Sequence, residues 1–144
     1  MMAARVINIL LVEDDEVDVM NVKRAFKKVN ITNPLHVATN GIEALAMLRS
    51  SNGEPPEVPN DRRLILLDLN MPKMGGIEFL QHLRSDPQLR LTPVVVMTTS
   101  NQDKDRVEAY NLNVAGYLVK PVTFNNFIEF MATLNKYWAL CEMP

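Results

Sequence analysis

At 144 residues, of which 47% are apolar, the chain is long enough for one domain with a sizeable core and too short for a second. A net charge of −2, without any run of lysine or arginine, argues against nucleic-acid binding by this chain alone. The single cysteine, Cys141, excludes an internal disulfide and a cysteine-based metal site, and no apolar run approaches the length of a membrane span. We therefore expect one cytoplasmic domain over 1–144, with its core at about 6–139.

Short apolar runs rich in valine, isoleucine and leucine alternate with segments of helical periodicity. The runs predict five β-strands, at 6–12, 35–38, 64–67, 94–97 and 116–119. Between them apolar residues recur three or four positions apart, as in Val19, Val22 and Phe26, and later helices are predicted at 105–112 and 123–139. Strands that alternate with helices predict an α/β protein, a doubly wound (βα)5 fold with a five-stranded parallel sheet.

The third strand runs without polar alternation directly into a carboxylate. The stretch at 64–67 is typical of a strand buried on both faces, and Asp68 follows at once. In open α/β folds the carboxyl edge of the sheet is where ligands bind. The alternative is that Asp68 only caps a turn, which Asp commonly does.

Polar residues follow three further strands, and a parallel sheet brings all of these ends to one edge. They are Glu13, Asp14 and Asp15 after the first strand, Asn70 two residues beyond Asp68, Thr98 after the fourth and Lys120 after the fifth. Carboxylates a few ångströms apart repel each other unless a cation neutralises them, and Mg2+ is the hard cation that such a set favours. With Thr98 and Lys120 nearby, the edge suits a phosphoryl group, and Asp68 is the candidate nucleophile.

Four segments resemble a known family in order and spacing. ILLVEDD (9–15), LLDLNMPKMGG (66–76), PVVVMTTS (93–100) and AGYLVKP (115–121) resemble the receiver domain of two-component response regulators. The resemblance covers nearly the whole chain. It implies a flavodoxin-like fold with strand order 2-1-3-4-5, and a single receiver domain without an output domain.

The resemblance also implies a role for each matched residue. Asp68 is implied to accept the phosphoryl group, while Mg2+ is implied to bind Glu13, Asp14, Asp68 and the backbone carbonyl of Asn70. Glu13 stands where many receivers have Asp, so we expect it to reach the metal through a water. Asp15 lies outside the matched pair.

Thr98 and Lys120 are implied to contact the phosphoryl oxygens. Phosphorylation is then expected to draw the Thr98 hydroxyl inward, which lets the ring of Tyr117 rotate into the space beneath the fourth helix. The peptide bond between Lys120 and Pro121 is implied to be cis.

A long proline-rich segment, 51–63, precedes the third strand. Together with the sequence TTSN and the single-domain length, it resembles the stand-alone regulators paired with cyanobacterial and bacterial phytochrome kinases. The alternative is a solvated insertion without a function, which a loop of this length easily tolerates. Nothing in the chain indicates a chromophore site.

Two other functions compete with phosphoacceptance. A phosphohydrolase of the haloacid dehalogenase type also uses a strand-terminal Asp and Mg2+, but it has a second Asp as general acid where this chain has Asn70. A pseudo-receiver, folded but never phosphorylated, is expected to have lost part of the constellation. His36 and His82 lie in no phosphorelay context, so the donor histidine is expected on a partner histidine kinase.

The last predicted helix has a wide apolar face. Its centre comprises Phe124, Phe127, Ile128, Met131, Leu134 and Trp138, and Phe130 and Tyr137 lie at its edge, seven residues apart. We expect this edge to form a homodimer through the fourth helix, fifth strand and fifth helix, the surface that receivers use. The alternative is that Phe130 and Tyr137 pack over the fourth helix.

Overall fold

The computed structural model describes residues 6–120 and 123–143. They form a five-stranded parallel sheet, and its strands lie in the predicted order 2-1-3-4-5. The elements are β1 (Asn8–Val12), α1 (Glu16–Lys28), β2 (Leu35–Ala38), α2 (Gly41–Leu48), β3 (Arg63–Leu67), α3 (Gly76–Ser85), β4 (Val94–Thr98), α4 (Asp103–Asn111), β5 (Gly116–Val119) and α5 (Phe124–Leu140). The expected cis bond before Pro121 lies outside the described residues.

The second and fifth strands have the predicted bounds, and the other predicted element ends lie within two residues of the observed ones. The first strand is predicted from residue 6 but begins at Asn8, because the Ile7 amide donates to the side chain of Asn33 at 3.3 Å instead of to a neighbouring strand. The fifth helix begins at Phe124, since Thr123 caps it by accepting from the Asn126 amide at 3.2 Å. The fourth helix starts at Asp103, two residues before the predicted start.

Two apolar clusters cover the two faces of the sheet. Alternate residues of β1 divide between them: Leu10 and Val12 pack with α2 and α3, whereas Ile9 and Leu11 pack with α1 and α5. This is the period-two geometry of a strand buried on both faces.

The apolar face of α5 packs largely as predicted. Met131 is buried. Phe127 and Phe130 pack against the same apolar cluster, with their ring centres 6.4 Å apart, and Phe130 is half-buried. Phe130 therefore belongs to the core face more than to its edge, while Tyr137 remains 60% exposed.

The segment 51–63 is more than a solvated insertion. Val58 is completely buried, and its amide donates to the Met47 carbonyl at 3.0 Å. Arg62, near the end of the segment, donates to the carbonyls of Trp138 and Cys141 at 2.8 and 2.9 Å. The segment thus links α2 to the end of α5.

Candidate functional site

The carboxylates predicted to meet at the carboxyl edge of the sheet do so. Oxygen atoms of Glu13, Asp14 and Asp68 lie within 4.8 Å of one another. The Asp68 amide donates to the Val12 carbonyl at 3.0 Å, which joins the ends of β3 and β1. Asp68 and Glu13 are buried and Asp14 is exposed, so the cluster opens to solvent on one side.

This donor set fits a hard divalent cation. Around an octahedral Mg2+ with bonds of about 2.1 Å, adjacent oxygens lie about 3 Å apart and opposite ones about 4.2 Å apart. The three carboxylates offer oxygens that all lie within 4.8 Å of one another, which is close enough for them to share one such ion. The structure thus supports the predicted acidic metal site formed by Glu13, Asp14 and Asp68.

Glu13 carries a strongly perturbed carboxyl group. The residue is only 3% exposed, and its pKa is raised from 4.5 to about 7, mainly by burial. This value already includes a decrease due to the hydrogen bond from Lys120 and an increase due to the nearby carboxylate of Asp68. Without a second cation, the negative charge of Glu13 is therefore incompletely compensated.

Lys120 extends from the end of β5 to carboxylates on two other elements. Its Nζ donates to Glu13 Oε1 at 2.5 Å and to Asp18 Oδ2 at 2.8 Å. Burial alone would lower the pKa of Lys120, but its hydrogen bonds to Asp18 and Glu13 raise it above the usual value. Among the described residues its ammonium makes no direct hydrogen bond to Asp68.

Thr98 is fully buried at the end of β4, close to the loop that follows Asp68. Its Oγ1 accepts from the Ser100 amide at 3.3 Å and from Asn70 Nδ2 at 3.5 Å. The same Asn70 amide group donates to Thr99 Oγ1 at 3.2 Å, and the Asn70 backbone amide donates to Asp68 Oδ1 at 3.2 Å. Asn70 thus connects the third and fourth strand ends.

Tyr117 is hydrogen-bonded to the segment between β4 and α4. Its hydroxyl donates to the Ser100 carbonyl at 3.0 Å, and Ser100 Oγ donates to Asp105 of α4 at 2.5 Å. Burial raises the pKa of Tyr117 above its usual value of 10.0, so the phenol keeps its donor hydrogen well beyond neutral pH. The predicted switch residues Thr98 and Tyr117 therefore both contact Ser100.

The second glycine of the pair that follows Asp68, Gly76, has a steric explanation. A Cβ at Gly76 would lie 2.6 Å from Leu69 Cα and 2.7 Å from the Asp68 carbonyl oxygen. The Gly76 amide also donates to the Leu69 carbonyl at 3.0 Å. Only glycine lets α3 begin this close to the residue after the strand, which fixes the backbone at Asp68.

Sequence reasoning missed Asp18 and Asp105 as parts of the site, and it assigned no role to Thr99 and Ser100, which follow Thr98 in the matched segment 93–100. One signal pointed to Asp18. Asp15 is the residue before α1, so Asp18 lies in the first helical turn, next to the predicted carboxylates. Its contact with Lys120 spans 102 positions, and no local pattern reports such a contact.

Residues 9–132 match the family described as the response regulator receiver domain. The chain belongs to this family. Receiver domains bind Mg2+ at an acidic pocket, and membership implies a histidine kinase as partner. Proteins of this family are typically signalling proteins and not enzymes, which counts against the phosphohydrolase alternative.

Three relatives show how far the similarity extends. The probable methanogenesis regulatory protein FilR2 of Methanothrix harundinacea is 38% identical over 90% of this receiver domain and 82% of its own length. The structure of the phosphorylated cyanobacterial phytochrome response regulator RcpA has a TM-score of 0.81 and 31% identity, covering 97% of this chain and 99% of RcpA. The Mn2+-bound form of response regulator Rcp1 has a TM-score of 0.78 and 34% identity, covering 94% and 97%.

These similarities place the receiver domain close to phytochrome-associated response regulators.

Over the described part of the chain, no helix has both the length and the apolar character needed to cross a membrane.

Proposed function

We propose that this receiver domain is a response regulator that accepts a phosphoryl group on Asp68 from a histidine kinase. The observation that supports it best is the juxtaposition of buried Asp68 with Glu13 and Asp14, all within 4.8 Å. Action without an output domain and a cytoplasmic location stay predictions.

In the proposed reaction an Asp68 carboxylate oxygen attacks phosphorus, and the bond from phosphorus to the donor nitrogen of the kinase histidine breaks. The electron pair of that bond returns to the imidazole. Asp14, Glu13, Asp68 and the Asn70 carbonyl would hold Mg2+, which supplies positive charge beside the transferred group.

Thr98 and Lys120 would donate hydrogen bonds to the phosphoryl oxygens. Thr98 lies at the end of β4 and Lys120 follows β5, next to Glu13. A hydroxyl and an ammonium at these places match the spread of charge over the equatorial oxygens. The complete set of groups favours this function over a pseudo-receiver.

Intact-mass spectrometry after incubation with acetyl phosphate and Mg2+ tests the proposal. We expect one added phosphoryl group in the wild type, none without Mg2+, and none in Asp68→Asn. Asp61→Asn, an exposed carboxylate before β3, is the matched control and should label like the wild type. Full labelling of Asp68→Asn, or an unlabelled wild type, would overturn the assignment.

The kinase is proposed to be a phytochrome. This rests on similarity to RcpA, described as a cyanobacterial phytochrome response regulator. Transfer from a purified phytochrome kinase should be faster at short times than transfer from a chemotaxis kinase. Equal rates from both donors would contradict the preference.

The switch is proposed to couple Thr98 to Tyr117. Both residues contact Ser100, and Ser100 contacts α4 through Asp105, so movement of the Thr98 hydroxyl can alter this hydrogen-bonded segment. Such a switch shifts a population between two states. Phosphorylated Thr98→Ala should show a smaller change in Tyr117 ring resonances than the wild type; an undiminished change would exclude this route.

A homodimer is proposed through α4, β5 and α5. Apolar side chains are exposed on all three elements: Val107, Tyr110, Val119 and Tyr137 are 40–60% exposed. Two-fold pairing of one surface is the commonest way for a chain to self-associate. In sedimentation, the double variant Tyr110→Asp/Tyr137→Asp should dimerise more weakly than the wild type. Identical sedimentation of the variant and the wild type would exclude this surface.

A further inference from the structure

Asp18 contacts the site but has no role in the function proposed above. It lies in the first turn of α1 and accepts a hydrogen bond from the Lys120 ammonium at 2.8 Å. We propose that Asp18 is a positioning residue that retains Lys120 on α1, so that a phosphoryl group on Asp68 must compete with Asp18 for this ammonium. The proposal rests on Asp68 being the phosphoacceptor.

The position of Asp18 is fixed by local structure. The side chain of Asp15 caps α1 and accepts from the amides of Val17 and Asp18 at 2.8 and 3.2 Å. The first helical turn is therefore held close to the end of β1. A carboxylate at position 18 is 35% exposed, which leaves it able to release the ammonium to water or to another acceptor.

The place where the Lys120 ammonium is held, and not its number of donors, causes the competition. Two of its three N–H donors bond Glu13 and Asp18 and none bonds Asp68, so the ammonium must move away from α1 to reach a group on Asp68. Glu13 is only 3% exposed, whereas the side chain of Asp18 is 35% exposed. Contact with a phosphoryl oxygen therefore most readily replaces the bond to Asp18, because its carboxylate is more easily rehydrated.

Binding of beryllofluoride, a phosphoryl mimic, at saturating Mg2+ tests this inference. We expect Asp18→Asn to bind it roughly threefold more tightly than the wild type, as for loss of one partly exposed ion pair. Glu16→Gln removes the same charge from the same helical turn and should bind like the wild type. In a Lys120→Met background, Asp18→Asn should have no effect.

Two further readouts separate positioning from a general structural effect. The Lys120 ammonium resonance should lose protection from solvent exchange in Asp18→Asn, and Mg2+ affinity should change equally in Asp18→Asn and Glu16→Gln. Unchanged or weaker beryllofluoride binding in Asp18→Asn would overturn the inference, as would the same gain in the Lys120→Met background. A wild type that binds no beryllofluoride would show that the proposed function itself is wrong.

Discussion

The two edges of the sheet use cations in different ways. At the carboxyl edge, the Lys120 ammonium bonds two carboxylates, those of Glu13 and Asp18. At the opposite edge, guanidinium groups bond backbone carbonyl oxygens; they belong to Arg62, Arg63 and Arg84.

The arginines at the amino edge join segments that are distant in sequence. Arg63 is buried and donates to the carbonyls of Leu48, Val58 and Pro59 at 2.7 to 3.0 Å. Arg84 of α3 donates to carbonyls before β4 and after α4, including that of Leu112 at 2.7 Å. Backbone carbonyl oxygens do not titrate, and the fold holds them in place, so these contacts are the same at any pH between about 5 and 8.

The contacts at the carboxyl edge depend on pH and on bound ions, because its carboxylates outnumber the neighbouring ammonium group. Glu13, Asp14 and Asp68 cluster within 4.8 Å, and one of them has a pKa near neutrality. A bound cation or phosphoryl group therefore changes the charge balance there. One edge maintains the fold, while the other is able to respond to a ligand.

The largest expected effect comes from removing a cation at the amino edge. Arg63→Met leaves buried carbonyls of Leu48 and Val58 without donors, so the free energy of unfolding should fall by about 4 kcal/mol. Urea denaturation measures it, with Arg90→Met as the exposed control. If Arg63→Met lowers the free energy of unfolding no more than Arg90→Met does, these carbonyls find other hydrogen-bond donors.

The pH dependence at the carboxyl edge should be of similar size. The pKa of Glu13 is raised from 4.5 to about 7 in the folded protein, so the folded state binds more protons between these values. Without metal, the free energy of unfolding should therefore fall as pH rises from 4.5 to 7, by about 3 kcal/mol.

Glu13→Gln supplies the control for that dependence, since its amide does not titrate. Denaturation of both proteins at several pH values should give a flatter profile for the variant. Parallel profiles would mean that another group causes the change in stability.

Mg2+ affinity should sharpen the same contrast. With a pKa of about 7, Glu13 is mostly protonated at pH 6 and mostly ionised at pH 8. Because the metal favours the ionised form, apparent affinity should rise about tenfold over this range. Calorimetric titration measures it, and a constant affinity would exclude Glu13 from the metal site.

The smallest expected effect concerns the end of α5. Arg62→Met removes donors from the Trp138 and Cys141 carbonyls, which should cost about 1 kcal/mol. Hydrogen exchange should accelerate in the last turn of α5 and remain unchanged in α3. Unchanged exchange in both helices would show that Arg62 does not stabilise that turn.

The sequence by itself determined the sheet, the helices and where the main site residues stand. Each strand is an apolar run whose end is visible locally, so the pattern alone predicts that Asp68, Thr98 and Lys120 lie at one edge of the sheet. The sequence shows that Gly76 lies close to Asp68 along the chain. It does not show that a side chain at position 76 would clash with Leu69.

Tertiary structure decided the partners of the long side chains. The Lys120 contact with Asp18 and the Arg62 contact with Trp138 span 102 and 76 positions, and Val58 enters the core from a segment with a solvated composition. Periodicity reports which face of one element is apolar, but a hydrogen bond between elements depends on how they pack and how far a side chain reaches. Lys120 therefore had a predicted location from the sequence, and only the fold gave it Asp18 as a partner.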